Sequence, residues 1–457
     1  MLCPTLAVRA SAWLIVTGSS RRERAAGHRL RDRAATCRGP VHVRDTYRLD
    51  GQASASSLDT GVSMTSRECP VVHFDTTDQA LRFEDVQLFD EIRDAGGIAW
   101  TEDNGGLWAV SDFALCKAIA SDAKRFISGE GVRFPARGGP KVFALEYDRP
   151  RHTVHRRALS EAVSAATVPK LEPMVRGHAR SLLQRARSEG RLDLSEDLAF
   201  PLPLDVIFSL VGAPDDLKQE VDVLTEALLL YRKPADDGGG DEITRLINVF
   251  DRLIALKVEQ PGDDWLSGIV QTYQGSGGEL DMTEIQGAIF AILFGGHHST
   301  ARGIACLLAR IVTDPDLQRS LRADPELIAR ATEESLRIAT PLRWFARTAV
   351  EDVEIGGQLI RAGQHVYLLY GGANLDPKRY DDPADFRLDR PRSFDHLAFG
   401  WGIHRCAGMP LAQLEIRVAV EELFACGPWL ELDGEISWTA LVEPRSIPCR
   451  FAAAPTT

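Results

Sequence analysis

Residues 399–408, FGWGIHRCAG, are the most informative segment of this chain. They place one thiol, Cys406, in a glycine-rich loop immediately before residues 409–415, which are predicted to begin a helix. A thiolate at a helix N-terminus is stabilised by the helix dipole and by backbone N–H groups without a helical partner. Gly400, Gly402 and Gly408 allow tight turns and close approach of the backbone to a flat ligand. The pattern favours a metal-binding thiolate; the alternative is a buried structural cysteine.

The loop resembles the haem-ligand loop of the cytochrome P450 family, with Phe399, Gly400, His404 and Cys406 at the family's positions. An electron-rich thiolate suits haem iron, because it pushes charge through the metal and favours O–O cleavage. The resemblance implies heme b as the cofactor, Cys406 as its axial metal ligand, and Phe399 and Gly400 in the cofactor-binding loop. It also implies the fold: mainly α with a smaller β-rich portion (α+β), with the haem between a long central helix and the cysteine loop.

A charged pair strengthens the resemblance. Glu334 and Arg337 match the family's E-x-x-R helix motif. A spacing of three places both side chains on one helix face, where they can form a structural network that holds the cysteine loop. The E-x-x-R string alone is weak evidence for the family, since a surface ion pair can have the same spacing.

Four basic residues match the family's contacts to the haem propionates: His152, Arg156, Arg347 and His404. The i, i+4 spacing of the first two aims both at one carboxylate, and the fork of an arginine suits bidentate binding. Each residue alone is more often an ordinary surface or core residue. Their joint occurrence in the family's order is what indicates a cofactor-binding role.

Residues 283–311 are predicted to form one long central helix, opened by a capping box of Thr283 and Gln286. Residues 285–294 are apolar on nearly every face, which indicates a buried helix. Gly295 and Gly296 follow, although a glycine inside a helix costs roughly 1 kcal/mol relative to alanine. Either a ligand approaches the backbone there, or the glycines form a notch for helix packing.

The chain departs from the family at two positions that follow this glycine pair. The family usually places an acid and then a threonine there, whereas this chain has His298 and Ser299. Ser299 is predicted to donate a hydrogen bond to bound dioxygen. His298 is predicted either to relay protons, since the reference pKa of histidine is about 6.5, or to make structural hydrogen bonds only.

Composition narrows the class of protein. The 457 residues are 44% hydrophobic and 26% charged with a net charge of −12, which argues against nonspecific nucleic-acid binding. No uninterrupted apolar run reaches the roughly 18 residues of a membrane span. The eight cysteines contain no C-x-x-C pair, which favours reduced thiols in the cytoplasm.

Residues 1–63 are Arg-rich and predicted to be a disordered or non-native extension, with an organelle transit peptide as the alternative. Residues 64–457 are predicted to form one cytochrome P450 domain.

The resemblance is to soluble bacterial members of the family. It implies a monooxygenase that inserts one oxygen atom from O2 into a small hydrophobic organic substrate by hydroxylation, dealkylation or epoxidation. It also implies electrons from a ferredoxin with its NAD(P)H-dependent reductase. Arg156, Arg157 and Arg405 would form a basic patch that attracts such an acidic partner. The alternatives are a peroxygenase that uses peroxide directly, motivated by the missing acid, and a noncatalytic haem-binding sensor.

The substrate is predicted to contact Gly295, Gly296, Leu342 and Arg343, under a roof formed by residues 131–137. Its recognition by Arg343, Arg133 or Arg137 would indicate a carboxylate-bearing molecule. The glycine-rich residues 238–240 are predicted to act as a mobile lid.

Overall fold

A computed structural model describes residues 69–75, 81–134, 141–188, 191–218, 220–221, 224, 241–275, 281–391, 394–438 and 443–453. The extension predicted over residues 1–63, the lid predicted at residues 238–240, and Arg137 lie outside the described residues. The described part is a mainly helical domain with a smaller strand portion, as predicted. Within it, no helix combines the length and the apolar character needed to span a bilayer.

Helices supply most of the described structure. The first group is α1 (Leu81–Asp94), α2 (Phe113–Ser121), α3 (Arg151–Val163), α4 (Val168–Ser188), α5 (Pro201–Val211), α6 (Asp241–Glu259) and α7 (Trp265–Gly275). The second group is α8 (Met282–Gly296), α9 (His298–Thr313), α10 (Pro315–Ala323), α11 (Leu327–Ala339), α12 (Tyr370–Ala373) and α13 (Met409–Cys426).

Short strands form the smaller portion. They are β1 (Ile98–Thr101), β2 (Leu107–Val110), β3 (Phe126–Ile127), β4 (Leu192–Asp193), β5 (Phe345–Ala349), β6 (Val353–Ile355), β7 (Gln358–Ile360), β8 (His365–Leu368), β9 (Trp429–Leu432), β10 (Ser437–Trp438), β11 (Pro444–Ser446) and β12 (Pro448–Ala452). The largest sheet has the order β1-β2-β8-β5-β3, and β2 pairs with β8 in parallel while the other neighbours are antiparallel. β1 and β2 form an antiparallel hairpin at one edge of this sheet, with Ile98 opposite Val110.

The predicted central helix is divided into two. α8 ends at Gly296 and α9 begins at His298, and His297 between them has a ψ of −80°. The Ser299 hydroxyl donates to the Gly295 carbonyl at 2.7 Å, so a side chain bonds the backbone at the break. The predicted capping box at Thr283 is wrong, because Asp281 is the N-cap and its carboxylate accepts from the Glu284 N–H at 3.2 Å.

The core places α9 against several other helices. Buried side chains of α4, α5, α9, α11 and α13 form one apolar cluster. Gly303 of α9 lies so close to Ile416 of α13 that an added Cβ would be 2.9 Å from its Cδ1. This close packing fixes α9 against the helix that follows Cys406.

A buried polar cluster attaches α3 to α8. His155 is fully buried, stacks on the Phe143 ring at 3.8 Å, and lies 3.1 Å from the Glu284 carboxylate. Glu284 is also paired with Arg151. Since a buried charge is costly unless it is paired and hydrogen-bonded, these contacts hold α3 in one orientation.

Candidate active site

The cysteine loop is held by its own backbone. The Cys406 N–H donates to the Phe399 carbonyl at 2.9 Å, which closes the turn around Gly400 and Gly402. These glycines have φ values of 64° and 71°, a region that glycine enters at little cost. A Cβ on Gly402 would also clash with the Ala120 carbonyl, so the close packing of this loop on α2 requires a glycine there.

The Cys406 sulfur faces an internal cavity. The residue has accessible surface, but this surface lines the cavity, and withdrawal from bulk solvent raises the pKa of the thiol. The N–H groups of Gly408 and Met409 and the charges of Arg156 and Arg405 act in the opposite direction. These four groups favour the thiolate against the larger effect of burial, and a bound metal cation would complete the stabilisation.

Glu334 and Arg337 are both fully buried, and their side chains meet through two hydrogen bonds of 2.8 Å. A third residue, Arg390, donates to Glu334 at 2.8 Å and was not predicted. Arg390 also bonds the carbonyls of Asp381 and Asp385, which fixes the chain segment leading to the cysteine loop. No regular spacing predicts this contact, because Arg390 lies 56 residues after Glu334 in a segment without helix or strand.

The four predicted basic residues line the same cavity: His152, Arg156, Arg347 and His404. The rings of His152 and His404 are 4.6 Å apart, and neither ring nitrogen of either side chain has a hydrogen-bond partner among the described residues. Desolvation lowers the pKa of His404 to about 3, with smaller contributions from the charge of Arg347 and from His152. Desolvation and Arg156 lower the pKa of His152 in the same way.

These unpartnered histidines fit a planar group with two carboxylates. A buried polar group without a partner is costly, and a carboxylate near the two histidines and two arginines would satisfy several of them at once. The Cys406 thiol lines the same cavity. A sulfur ligand and a set of basic residues together match what heme b requires, so the residues present fit this cofactor.

The cavity has a volume of about 680 Å³. Three of the residues predicted to contact the substrate line it, namely Gly295, Gly296 and Leu342. Arg343 is not among the lining residues, and its guanidinium lies over the Phe89 ring at 5.6 Å. Arg133 does line the cavity, with its guanidinium 5.8 Å from the Phe345 ring.

The two glycines serve different purposes. A Cβ added to Gly295 would meet no heavy atom within 4 Å, so this residue opens onto the cavity. A Cβ added to Gly296 would lie 3.0 Å from Ile207 Cδ1, so that glycine permits close packing on α5. The packing explanation therefore applies to Gly296, and close approach of a ligand remains a prediction for Gly295.

His298 and Ser299, the two residues at which the chain departs from the family pattern, line the cavity. His298 is buried, and desolvation together with its neighbours His297 and Arg302 lowers its pKa to about 2. The imidazole is therefore neutral over the ordinary pH range. The expectation that His298 titrates near neutrality does not agree with this environment, because burial and nearby positive charge oppose its protonation.

Sequence reasoning did not single out Glu415, a buried residue of α13 that lines the cavity. Its Oε2 atom has no hydrogen-bond partner among the described residues. Burial raises the pKa of this carboxyl well above its usual range, which favours the protonated form. A glutamate nine positions after Cys406 gives no sequence signal of its own, since helices carry many glutamates and most of them are exposed.

Comparisons with known proteins agree with this geometry. A family model described as cytochrome P450 matches residues 251–425. The chain is 34% identical over 347 residues to the cytochrome P450 monooxygenase PikC of Streptomyces venezuelae, covering 74% of this chain and 83% of the relative. It is 31% identical over 339 residues to 6-deoxyerythronolide B hydroxylase of Saccharopolyspora erythraea, covering 71% of this chain and 84% of the relative.

A solved structure gives the same result for the fold. Cytochrome P450 CYP268A2 of Mycobacterium marinum, in complex with pseudoionone, superposes with a TM-score of 0.76 at 28% identity. The match covers 83% of this chain and 99% of that structure. With a cysteine loop, a basic cofactor site and relatives of this similarity, the chain belongs to the cytochrome P450 family of haem-thiolate monooxygenases.

Proposed function

We propose that this monooxygenase inserts one oxygen atom from O2 into a small, largely hydrophobic organic molecule, with electrons supplied by a ferredoxin and its NAD(P)H-dependent reductase. The observation that carries the proposal is the apolar lining that shares a cavity with the cysteine loop. Phe290 and Phe294 of α8 line the cavity and stack on each other at 4.0 Å. When bound, heme b supplies the activation of dioxygen, and the protein binds and orients the reactants.

The apolar lining supports a hydrophobic substrate. Ile207, Phe250 and Leu342 line the cavity together with the two phenylalanines. Burying one large apolar side chain is worth about 1.5–3 kcal/mol, and a substrate that covers this lining gains free energy by the same effect. Position and orientation are then set by shape, and Gly295 leaves room close to the backbone.

A carboxylate on the substrate is a finer part of the proposal. Arg133 supports it, because this arginine lines the cavity, whereas Arg343 packs against Phe89 and is not among the lining residues. Glu130 and Glu146 also line the cavity and would repel an anion that is not held close to Arg133. Among the described residues, Arg133 is the predicted carboxylate partner that lines the cavity, and an Arg133→Gln variant tests its role.

Ser299 and His298 are proposed to handle the hydrogen bonds of dioxygen. Ser299 lines the cavity, and its hydroxyl donates to the Gly295 carbonyl at 2.7 Å. Rotation of that hydroxyl would let it donate into the cavity instead. His298 remains neutral, so it passes a proton only by accepting at one ring nitrogen and donating from the other.

Glu415 is proposed to keep a neutral carboxyl in the cavity that Cys406 also lines. It lies on α13, the helix that begins directly after the cysteine loop, and burial favours its protonated form. A neutral carboxyl adds no negative charge to the cavity that the Cys406 sulfur faces. We therefore assign proton handling to Ser299 and His298 and not to Glu415.

The electron donor is proposed to dock beside the cysteine loop. Arg157 is exposed on α3, and Arg405 lies 5.4 Å from the Trp401 ring, which Lys117 covers at 3.9 Å. These cations contrast with a net charge of −12 for the whole chain. An acidic ferredoxin would be steered to them, with a rate that falls as salt is added.

A binding and turnover screen tests the proposal. The purified haem-loaded enzyme is titrated with matched neutral and carboxylate forms of aromatic, fatty and terpenoid compounds, and the spin-state change of the haem is recorded. We expect spin-state shifts and NADH-dependent product with hydrophobic compounds, and weaker binding of the acids by Arg133→Gln. Equal affinity of acids and neutral analogues removes the carboxylate idea. No shift and no product with any class contradicts the hydrophobic-substrate proposal.

A peroxide-driven reaction is the second candidate function. It is favoured by one observation, namely that a neutral histidine stands where the family usually has an acid. Turnover with hydrogen peroxide at a rate equal to or above the ferredoxin-supported rate would favour it. Two results together would exclude the peroxide-driven reaction. The enzyme would form product with ferredoxin but not with peroxide, and Ser299→Ala would abolish the ferredoxin-supported product.

A further inference from the structure

Two consecutive glutamates of α11 are held in different ways. Glu334 is neutralised by Arg337 and Arg390. Glu333 is also buried, at 3% exposure, but its partners are an imidazole and an amide. Its Oε2 lies 3.0 Å from His396 Nε2, and its Oε1 accepts from Gln413 Nε2 at 2.6 Å. One carboxylate therefore uses each of its oxygens for a different partner.

The two partners lie on opposite sides of Cys406 in the chain. His396 belongs to the segment that enters the cysteine loop, and Gln413 belongs to α13, which leaves it. Glu333 thus joins the entering and leaving segments from a third element. A contact that closes a loop in this way restricts the positions available to the residues between its ends.

The hydrogen bonds of His396 extend this contact toward the cysteine. The Ala398 N–H donates to His396 Nδ1 at 3.2 Å, so Nδ1 is the acceptor and Nε2 carries the hydrogen that Glu333 accepts. The His396 ring lies 5.8 Å from the Phe399 ring. The Phe399 carbonyl in turn accepts from the Cys406 N–H at 2.9 Å. A continuous set of contacts therefore runs from Glu333 to the backbone of Cys406.

We propose that Glu333 is a positioning residue for Cys406, acting through His396 and Gln413 to fix the cysteine loop in the geometry that holds the thiolate on iron. This role is separate from that of Glu334, which bonds Arg387 and Arg390 in the segment before the loop. It depends on the carboxylate having two acceptor oxygens. With Glu333→Gln, the side chain could accept from one partner only, because its NH2 group would face the other donor.

The experiment compares three haem-loaded proteins: wild type, Glu333→Gln and Gln413→Met. Gln413→Met keeps the side-chain length but removes the donor to Glu333, and it leaves the contact with His396 intact. Each protein is reduced under carbon monoxide, and the rate at which the thiolate-ligated Soret band is lost is measured at fixed temperature. We expect the loss to be roughly tenfold faster in both variants, which corresponds to about 1.4 kcal/mol of activation free energy. The ferric–ferrous midpoint potential should shift in both variants as well.

A matched control separates positioning from general stability. Gln318 of α10 is 1% exposed, and its amide bonds the Leu430 backbone at 3.1 and 2.9 Å, on an element that carries no part of the cysteine loop. Gln318→Ala should lower the unfolding midpoint without changing the rate of Soret loss or the potential. If Glu333→Gln and Gln413→Met behave like this control, the proposal is wrong. Should Glu333→Gln fail to fold, Gln413→Met alone decides the question. Substrate and ferredoxin play no part in these measurements, so failure here leaves the proposed function untouched.

Discussion

The cysteine-loop side of the cavity and the side formed by the break between α8 and α9 are built on different principles. The loop side has short polar contacts to several elements, among them the buried pair Glu334–Arg337 and the bond from Cys406 to Phe399. The break side is mostly apolar, with the stacked Phe290 and Phe294 and the open space at Gly295. Directional hydrogen bonds fix a particular geometry, whereas apolar surface accepts many shapes. The contacts on the loop side thus fix its geometry more strictly than those on the break side.

The largest effect is expected from Cys406→Ser, which removes the sulfur on which the loop side depends. Monooxygenase activity should fall by at least roughly 1,000-fold, because a neutral hydroxyl cannot replace the thiolate as an electron donor to iron. The reduced, carbon-monoxide difference spectrum should lose its thiolate-type band. An unchanged Soret band in this variant would contradict the assignment of the ligand.

The second effect concerns the buried pair on the loop side. Glu334→Gln leaves the two arginines without their counter-charge, and breaking a buried pair in this way costs about 3–5 kcal/mol. We expect poor haem incorporation and a lower free energy of unfolding in urea. Arg361→Gln is the control, because its pair with Asp352 is exposed and solvent screens the attraction. Equal losses of unfolding free energy in Glu334→Gln and Arg361→Gln would contradict the distinction between the buried and exposed pairs.

A third, smaller effect concerns the buried histidine on the break side. The pKa of His298 is lowered to about 2 in the folded protein, below its ordinary value of 6.5. As the pH falls through 6.5, the unfolded chain binds a proton that the folded protein does not bind. The unfolding free energy therefore falls, and this continues down to about pH 2.

Urea unfolding of the holoenzyme and of His298→Gln measures this dependence. Between about pH 7.5 and pH 5.5, the unfolding free energy of wild type should fall by roughly 1 kcal/mol more than that of the variant. The reason is that one proton per pH unit is worth about 1.4 kcal/mol. The matched comparison is His178→Gln, which removes an imidazole that forms an exposed hydrogen bond with Ser209. Equal slopes for wild type and His298→Gln would show that His298 is not held neutral by the fold.

The smallest effect compares the two glycines of the break. Gly295→Ala should raise the unfolding free energy by up to about 1 kcal/mol, because alanine favours a helix and its Cβ meets open space. It should also weaken binding of bulky substrates. Gly296→Ala should gain less or lose stability, since its Cβ would press on Ile207 at 3.0 Å. Thermal unfolding and spin-state titrations would record both effects, and identical behaviour would contradict the difference between the two positions.

Much of the loop side could be predicted because its residues lie in short, regular motifs. The residues around Cys406 occur within ten positions, and Glu334 and Arg337 are one helical turn apart. Arg390 and Glu333 were not predicted. Arg390 lies in irregular chain, and Glu333 contacts partners 63 and 80 residues away. Residues so far apart in the chain have no regular spacing from which their contact could be predicted.

The break side was harder to predict because its properties depend on burial. A single helix was expected, yet His297 interrupts it, and no pattern indicated the bond from the Ser299 hydroxyl to Gly295. Proton relay by His298 was one of two alternatives and rested on the reference pKa of histidine, whereas desolvation and the nearby His297 and Arg302 lower the pKa of this residue. Arg343 was expected at the substrate, but its side chain packs over Phe89.

Residue types and local spacing were enough to identify the family, and to predict the sulfur ligand and the basic residues for the cofactor. Three properties became visible only in the folded chain: which oxygens of Glu333 meet which partners, that burial favours the protonated form of Glu415, and which of the two glycines opens onto the cavity. Desolvation and long-range contacts arise only when distant segments pack together, and a linear pattern carries no record of that packing.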